Sequence, residues 1–237
     1  MIKIVNEAEK AKLYIYGMII DDTDAGFIKR MTQGNSELEI GFEWPTKVKE
    51  QLDGLKGKPI EVHIASDGGD VAAGIAIYNM LTNHDAPVTV FVDSWAASIA
   101  SVIAFAGSKI IMPENTFLMI HNPKGGAFGE STYLRTVADW LDKLQSMIVD
   151  TYAKHTTKTA DEIKEFMDKE TWFTAKEAAE LFDNIEVVDS NDVEAVACYK
   201  SSFDTAPVAL KQKAVDNTQV DTEKVKILNI LREAFKL

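Results

Sequence analysis

The sequence predicts an α/β fold with a mostly parallel sheet covered by helices, and two observations support this prediction. Between residues 60 and 120, short and continuously apolar segments alternate with segments of helical spacing. Strands that are apolar on both faces are typical of parallel sheets with helices against them. The chain has 237 residues, of which 46% are hydrophobic, enough for one large or two small domains with a buried core.

The N-terminal part is predicted to contain two strands, an irregular connection and a helix. Strands are predicted at residues 2–5 and 13–20, the second because of its β-branched and aromatic side chains. Residues 21–45 combine glycines with acidic side chains and show no clear period. We therefore expect a long irregular connection there. Residues 45–55 show helical spacing of their apolar side chains.

The central part alternates between strand and helix patterns. The predicted strands are residues 60–65, 88–92, 109–112 and 116–120. The predicted helices are residues 71–82 and 98–105. A tight turn containing Pro113 and Asn115 is expected between the last two strands. Since the strands are continuously apolar, they are predicted to pair in parallel, with right-handed crossovers.

The C-terminal part begins with a long helical pattern at about residues 130–156. At about 1.5 Å per residue this helix would be roughly 40 Å long, more than the core needs, so we expect it to project. Two shorter helices, each with a capping-box pattern, and two strands follow. The helices are predicted at residues 159–167 and 174–181, and the strands at residues 185–188 and 193–198. We predict a domain at residues 1–200, a linker at 201–222 and an amphipathic helix at 223–237.

Charge and cysteine content limit the function classes. The formal net charge of −12 argues against a nucleic-acid-binding surface, which would be basic. The longest apolar run, residues 88–105, is interrupted by Asp93 and several serines and is too polar for a membrane span. The single Cys198 excludes an intrachain disulfide, and residues 1–10 lack a signal-peptide pattern. We therefore expect a cytoplasmic protein.

Ser98 lies among small residues at the predicted start of a helix. Its neighbours Ala97 and Ala100 allow other backbone to approach closely, and Ile99 opens the helix. Unpaired N–H groups at a helix N-terminus can stabilise an oxyanion. From the segment alone, the favoured interpretation is a helix N-cap, for which serine is preferred. A nucleophile is the alternative.

His121 follows an apolar run and is the best-placed histidine for catalysis. A free imidazole can act as a general base near neutral pH. His63, His84 and His155 lie in less suitable contexts, and no pair of histidines has the spacing of metal ligands. We predict neither a metal site nor a cofactor.

Two glycines, Gly68 and Gly69, separate a predicted strand from a predicted helix. The segment lacks both the dinucleotide-binding and the P-loop patterns. An oxyanion hole is the better interpretation, since a glycine N–H can face a reacting carbonyl without a Cβ in the way.

These segments together resemble the motifs of the ClpP family, the proteolytic subunit of Clp proteases. Residues 66–78, S-D-G-G-D-V-A-A-G-I-A-I-Y, resemble its S-P-G-G-x-V-x-A-G-x-A-I-Y segment. Residues 96–100, A-A-S-I-A, resemble its nucleophile motif, and residues 119–126, M-I-H-N-P-K-G-G, resemble its histidine motif. The resemblance extends over about residues 13–188. It implies a ClpP/crotonase-like fold of repeated ββα units, with residues 130–156 as a projecting handle helix.

The same resemblance implies a serine endopeptidase. Ser98 would be the nucleophile and His121 the general base, and the N–H groups of Gly69 and Ile99 would form the oxyanion hole. The family places its third catalytic residue, an aspartate, shortly before a helix start that residues 174–178 match.

Counting back from that helix start leads to Glu170, which can still orient an imidazole. Asp168 is the alternative acid, and a Ser–His dyad is the remaining possibility.

Several features depart from the family pattern. Asp67 replaces the proline of the glycine segment, residues 21–45 are longer than expected, and the chain beyond about residue 201 is unmatched. These features resemble phage-encoded head-maturation proteases, which act on scaffold or capsid proteins.

The first alternative is a housekeeping proteolytic subunit with a Clp-type ATPase partner. The others are a crotonase-like acyl-CoA enzyme and a non-catalytic assembly protein. By resemblance, the protein would form a ring, a heptamer or two stacked rings.

Overall fold

The computed structural model describes residues 11–32, 41–190 and 203–207. The strands are β1 (Ala11–Ile19), β2 (Phe42–Glu43), β3 (Ile60–Gly69), β4 (Val88–Ala97), β5 (Lys109–Pro113), β6 (Phe117–Ile120), β7 (Thr171–Thr174) and β8 (Ile185–Val188). The helices are α1 (Asp22–Met31), α2 (Pro45–Asp53), α3 (Val71–Thr82), α4 (Ile99–Ala104), α5 (Ser131–Ala153), α6 (Ala160–Asp168) and α7 (Ala175–Leu181).

The strands form one sheet that branches at β4. The main path runs β2-β1-β3-β4-β5-β8, and each neighbouring pair is parallel. The predicted α/β class with a parallel sheet is therefore confirmed. The first half of β4 pairs with β5, whereas its end, at Trp95–Ala97, pairs with β6. Because β4 changes partner, β6 lies beside the last residues of β4.

The branch is completed by the antiparallel pair of β6 and β7. In this pair Ile120 is opposite Thr171, and Met119 is opposite Trp172. The residue after β6 therefore lies beside the residue before β7. A four-residue, partly buried strand gives little sequence signal, and β7 was not predicted.

The core explains why α4 lies close to the sheet. Alternate residues of β1 are buried, and α3 buries Ala73, Gly74, Ile77 and Leu81. A Cβ on Gly74 would lie 2.2 Å from Cγ1 of Ile99, so α3 can approach α4 only because this position is glycine. The start of α4 is thereby held in place.

The prediction of an irregular connection at residues 21–45 is wrong for the part that the structure describes. Helix α1 begins after Asp21, whose side chain accepts a hydrogen bond from the N–H of Asp24. Ala25 and Ile28 are buried in a small cluster with residues of β2 and its surroundings. Only these two apolar positions face the core, with a glycine between them, so the helical period was hidden.

The other elements agree with the sequence predictions, with shifted ends. Strands β3 and β4 continue to Gly69 and Ala97 instead of ending at residues 65 and 92. The expected tight turn forms, since the N–H of Thr116 donates to the carbonyl of Pro113 at 3.0 Å. The strands on either side of it, β5 and β6, lie in different branches of the sheet. The predicted elements at residues 2–5, 193–198 and 223–237, and most of the linker at 201–222, lie outside the described residues.

Helix α5 corresponds to the predicted long helix. Its buried residues are confined to its C-terminal end, at Ile148, Val149, Thr151 and Tyr152. Nearer its N-terminus, Tyr133 and Trp140 are 51% and 58% exposed. None of the helices in the described part of the chain is both long enough and apolar enough to cross a membrane.

Candidate active site

Ser98 lies at the junction of β4 and α4 and is held in an unusual backbone conformation. Its φ of 56° is in the left-handed region, which is costly for a residue other than glycine and is often found at functional sites. Its N–H donates a hydrogen bond to the carbonyl of Met119 at 3.0 Å. This bond connects the end of β4 to β6. Its side chain makes no capping hydrogen bond to α4, so the N-cap interpretation does not describe it.

His121 follows β6 directly and contacts Ser98. Its Nε2 lies 2.7 Å from the Ser98 Oγ, an ordinary hydrogen-bond distance for this pair. For the hydroxyl to donate, Nε2 must be unprotonated and the proton of the neutral ring must be on Nδ1. The structure thus brings together the predicted nucleophile and the predicted base.

The surroundings of His121 favour its neutral form. Burial lowers the pKa of its imidazole below the ordinary value of 6.5, and the positive charge of Lys124 lowers it further. The carboxylate of Glu170 acts in the opposite direction but does not reverse the shift. A neutral imidazole is the form that can accept a proton from the serine.

Glu170 lies beside His121 because of the register between β6 and β7. Its Oε2 is 3.4 Å from Nδ1 of His121. This distance is longer than that of a typical N–H···O hydrogen bond, about 2.9–3.0 Å. Nδ1 is buried and has no hydrogen-bond partner within the described residues. The same Oε2 accepts a hydrogen bond from Nζ of Lys124 at 2.8 Å, which competes with the histidine.

The carboxyl of Glu170 is held in its ionised form. Burial alone would raise its pKa, but hydrogen bonds from Lys124 and Thr205 outweigh burial and lower it. A carboxylate beside Nδ1 can orient the ring and stabilise the imidazolium that forms during proton transfer.

Asp168, the alternative acid, has a different partner. Its Oδ1 accepts a hydrogen bond from Nδ2 of Asn122 at 2.8 Å. Asn122 in turn accepts a bond from Nε2 of Gln145 at 2.6 Å. Asp168 therefore holds the residue after His121, which makes Glu170 the better placed of the two acids.

The glycine segment approaches the serine through Gly68. This residue has a φ of 90°, and a Cβ on it would lie 2.8 Å from the Cβ of Ser98 and 3.1 Å from the N of Ile99. Its own N–H donates to Oγ of Ser66 at 3.0 Å. An oxyanion hole was predicted for the segment that contains both glycines, with Gly69 as the donor. The close approach to Ser98 is made by Gly68.

The two predicted oxyanion donors, Gly69 and Ile99, directly follow Gly68 and Ser98 in the sequence. Ile99 is the first residue of α4, so its N–H has no acceptor within the helix. Gly69 packs against β1, since a Cβ on it would lie 2.0 Å from the carbonyl oxygen of Ile19. The oxyanion roles of Gly69 and Ile99 stay predictions.

Asp67, which stands where the resemblance expects proline, anchors the glycine segment. Its Oδ1 accepts a hydrogen bond from Nε1 of Trp95 at 2.7 Å. Trp95 belongs to the end of β4 that leads to Ser98. A side-chain hydrogen bond therefore connects the glycine segment to the strand that carries the serine.

The comparisons with known proteins identify the family of this chain. A family model described as Clp protease matches residues 41–186. The chain belongs to the Clp protease family. The matched region of this Clp protease family member includes Ser98, His121 and Glu170.

Two relatives are named "ATP-dependent Clp protease proteolytic subunit". The protein from Bacteroides fragilis is 35% identical over 127 residues, 52% of this chain and 61% of the relative. The protein from Ligilactobacillus salivarius is 36% identical over 133 residues, 54% of this chain and 67% of the relative. These names agree better with the alternative of a proteolytic subunit than with a phage maturation protease.

A solved structure confirms the fold. A mutant of ClpP1 from Listeria monocytogenes has a TM-score of 0.58 and 25% sequence identity. The alignment covers 76% of this chain and 92% of that one.

Proposed function

We propose that this member of the Clp protease family is a serine endopeptidase that cleaves peptide bonds through an acyl-enzyme. The observation that supports this most strongly is the 2.7 Å contact between Nε2 of His121 and Oγ of Ser98. It occurs where β4 meets α4, at a residue with a positive φ, and next to the first N–H of α4, which has no acceptor within that helix. An activated hydroxyl next to a backbone donor is the arrangement that acyl transfer requires.

This geometry supports the following order of proton transfers. Ser98 attacks the scissile carbonyl while His121 accepts its proton at Nε2, and the negatively charged oxygen is stabilised by backbone N–H groups. His121 then donates this proton to the leaving amine, and the acyl-enzyme remains on Ser98. Water, activated by the same imidazole, hydrolyses the ester and regenerates the serine. Throughout, the carboxylate of Glu170 stabilises the imidazolium.

We further propose that the biological role is that of a ClpP-type proteolytic subunit with an ATPase partner. The names of both relatives support this role. Head maturation in a phage is the second candidate. It rests on the resemblance suggested by Asp67, by the length of residues 21–45 and by the unmatched chain beyond about residue 201.

The projecting helix supports a homo-oligomer. Helix α5 exposes large apolar side chains that the described part of the chain does not cover, at Tyr133, Leu134, Trp140 and Met147. Contiguous exposed apolar side chains often mark protein–protein contacts. A ring of identical subunits, single or stacked, would bury them.

Peptidase assays on the full chain test the proposed function. We expect hydrolysis of short fluorogenic peptides and of an unfolded protein, blocked by a fluorophosphonate. Native mass spectrometry of the same sample should show a closed oligomer. Hydrolysis of acyl-CoA thioesters without any peptide cleavage would contradict the proposal and indicate a crotonase-like enzyme.

Substitution of the two candidate acids should have unequal effects. Glu170→Gln removes the charge beside Nδ1 of His121 and is expected to lower kcat by about 10- to 100-fold. Asp168→Asn keeps the size of a side chain that contacts Asn122, and we expect a change of at most about threefold. Steady-state kinetics on one peptide measure both. Normal rates in both variants would mean that the site is a Ser–His dyad.

The pH dependence of kcat/KM reports the lowered pKa of His121. The pKa of the His121 imidazole lies below 6.5, so the ring becomes protonated only at a pH below that value. We therefore expect the acid limb of the profile to lie below pH 6.5. Lys124→Gln removes a positive charge that lowers this pKa, so the limb should move to higher pH. Lys109→Gln, which breaks a surface ion pair with Glu186, is the matched control and should leave the limb in place. An acid limb above pH 6.5 in the wild type would contradict the lowered pKa of His121.

A further inference from the structure

We propose that residues 203–207, which lie beyond the family match, complete the active site, with Phe203 and Thr205 acting as positioning residues for His121 and Glu170. The inference rests on the proposed serine peptidase function. It is drawn from contacts between this short segment and the side of the His121 ring where Nδ1 faces Glu170.

Thr205 connects the catalytic acid to Trp172. Its Oγ1 donates a hydrogen bond to Oε1 of Glu170. The Oγ1 of Thr205 also accepts a hydrogen bond from Nε1 of Trp172 at 3.1 Å. A threonine hydroxyl has one proton and two lone pairs, so it can make both bonds at once. Because the N–H of Trp172 bonds to a lone pair of this oxygen, the hydroxyl proton of Thr205 can point at the carboxylate of Glu170.

The two oxygens of Glu170 are therefore held from different directions. Thr205 holds Oε1, while Lys124 holds Oε2 at 2.8 Å. Oε2 is also the atom that faces Nδ1 of His121, at 3.4 Å. Without Thr205, the carboxylate could rotate toward Lys124, which is 63% exposed in its side chain, and away from the histidine.

Phe203 covers the histidine itself. Its ring meets the imidazole of His121 edge to face, with centroids 5.4 Å apart and an interplanar angle of 89°. It also contacts Trp172, at a centroid distance of 6.0 Å. The side chain of His121 is only 8% exposed, and an apolar ring beside it excludes water. Exclusion of water strengthens the interaction between the imidazole and the carboxylate.

The segment is anchored on the strands that carry the catalytic residues. Phe203 and Trp172 pack against a buried cluster formed by Trp95, Ala97 and Met119. Ala206 is buried, and its N–H donates to the carbonyl of Phe203 at 3.2 Å, which closes a turn.

The contacts indicate that residues 203–207 support Glu170 and do not block Ser98. Thr205 contacts Glu170, which faces Nδ1 of His121, whereas Ser98 is at Nε2 on the other side of the ring. A segment that holds the acid in this way should increase the rate of proton transfer.

The test uses three variants of the full chain, with kcat, KM and pH profiles measured on one short peptide. Thr205→Val removes the hydroxyl and should lower kcat by about 2- to 10-fold with little change in KM. Thr205→Ser keeps the hydroxyl and should restore kcat to within about twofold of wild type. Phe203→Ala should lower kcat and, because it reduces the burial of His121, move the acid limb to higher pH. If that variant does not fold, Phe203→Leu gives the same comparison with a smaller expected effect.

The outcomes separate this inference from the proposed function. Wild-type hydrolysis that depends on Ser98, with unchanged kcat and pH profile in Thr205→Val and in the Phe203 variant, would overturn the positioning role alone. Faster hydrolysis in either variant would also overturn it and would show that the segment inhibits the site. Wild-type protein without Ser98-dependent hydrolysis would overturn the proposed function itself.

Discussion

Ser98→Ala is expected to reduce peptide hydrolysis by at least about a thousandfold. Its Oγ is the hydroxyl that Nε2 of His121 contacts at 2.7 Å, and no other part of the described site offers a nucleophile in that position. Backbone donors would still bind the carbonyl oxygen, so a small residual rate is compatible with the mechanism.

The fold should survive this substitution. The Ser98 side chain caps no helix, and alanine tolerates the φ of 56° about as poorly as serine does. Thermal unfolding and native mass should therefore match the wild type. Ser108→Ala is the control, because it removes a hydroxyl that, among the described residues, donates a hydrogen bond to the carbonyl of Val88. Retention of more than about a tenth of the activity in Ser98→Ala would contradict the role of this serine.

His121→Gln should cause a loss of similar size. Glutamine can hydrogen-bond to Ser98 but cannot accept its proton, so the hydroxyl stays un-ionised. We expect kcat to fall by at least about a thousandfold and the acid limb of the pH profile to disappear.

His84→Gln is the matched control for this substitution, since in the described part of the chain the polar partners of the His84 ring are the carbonyl of Lys58 and the neighbouring Asp85. It should hydrolyse peptides at the wild-type rate. A His121→Gln variant with an unchanged pH profile would show that another group is the base.

The fold could be predicted because apolar strands and helical periods each lie within about ten residues. The Ser98–His121 pair could be predicted because short motifs, each ambiguous alone, together resemble those of the ClpP family in their order along the chain. Helix α1 was missed because only Ala25 and Ile28 of its residues are buried. The position of Glu170 followed from the family resemblance, by counting back from the helix start at residues 174–178.

The remaining parts of the site depend on long-range pairing. His121 meets Glu170 because β6 pairs with β7 in one register, and a one-residue shift would separate them. Thr205 and Phe203 reach the site from a segment whose sequence has no period. The approach of Gly68 to Ser98 is set by the positive φ of that glycine, which the sequence permits but does not require.

The central claim, that Ser98 is activated by His121, is tested most directly by a fluorophosphonate probe read by intact mass and peptide mapping. We expect one adduct per chain, located on Ser98, absent in Ser98→Ala and strongly slowed in His121→Gln. A folded wild-type protein without an adduct on Ser98, or one labelled as quickly after His121→Gln, would contradict the account.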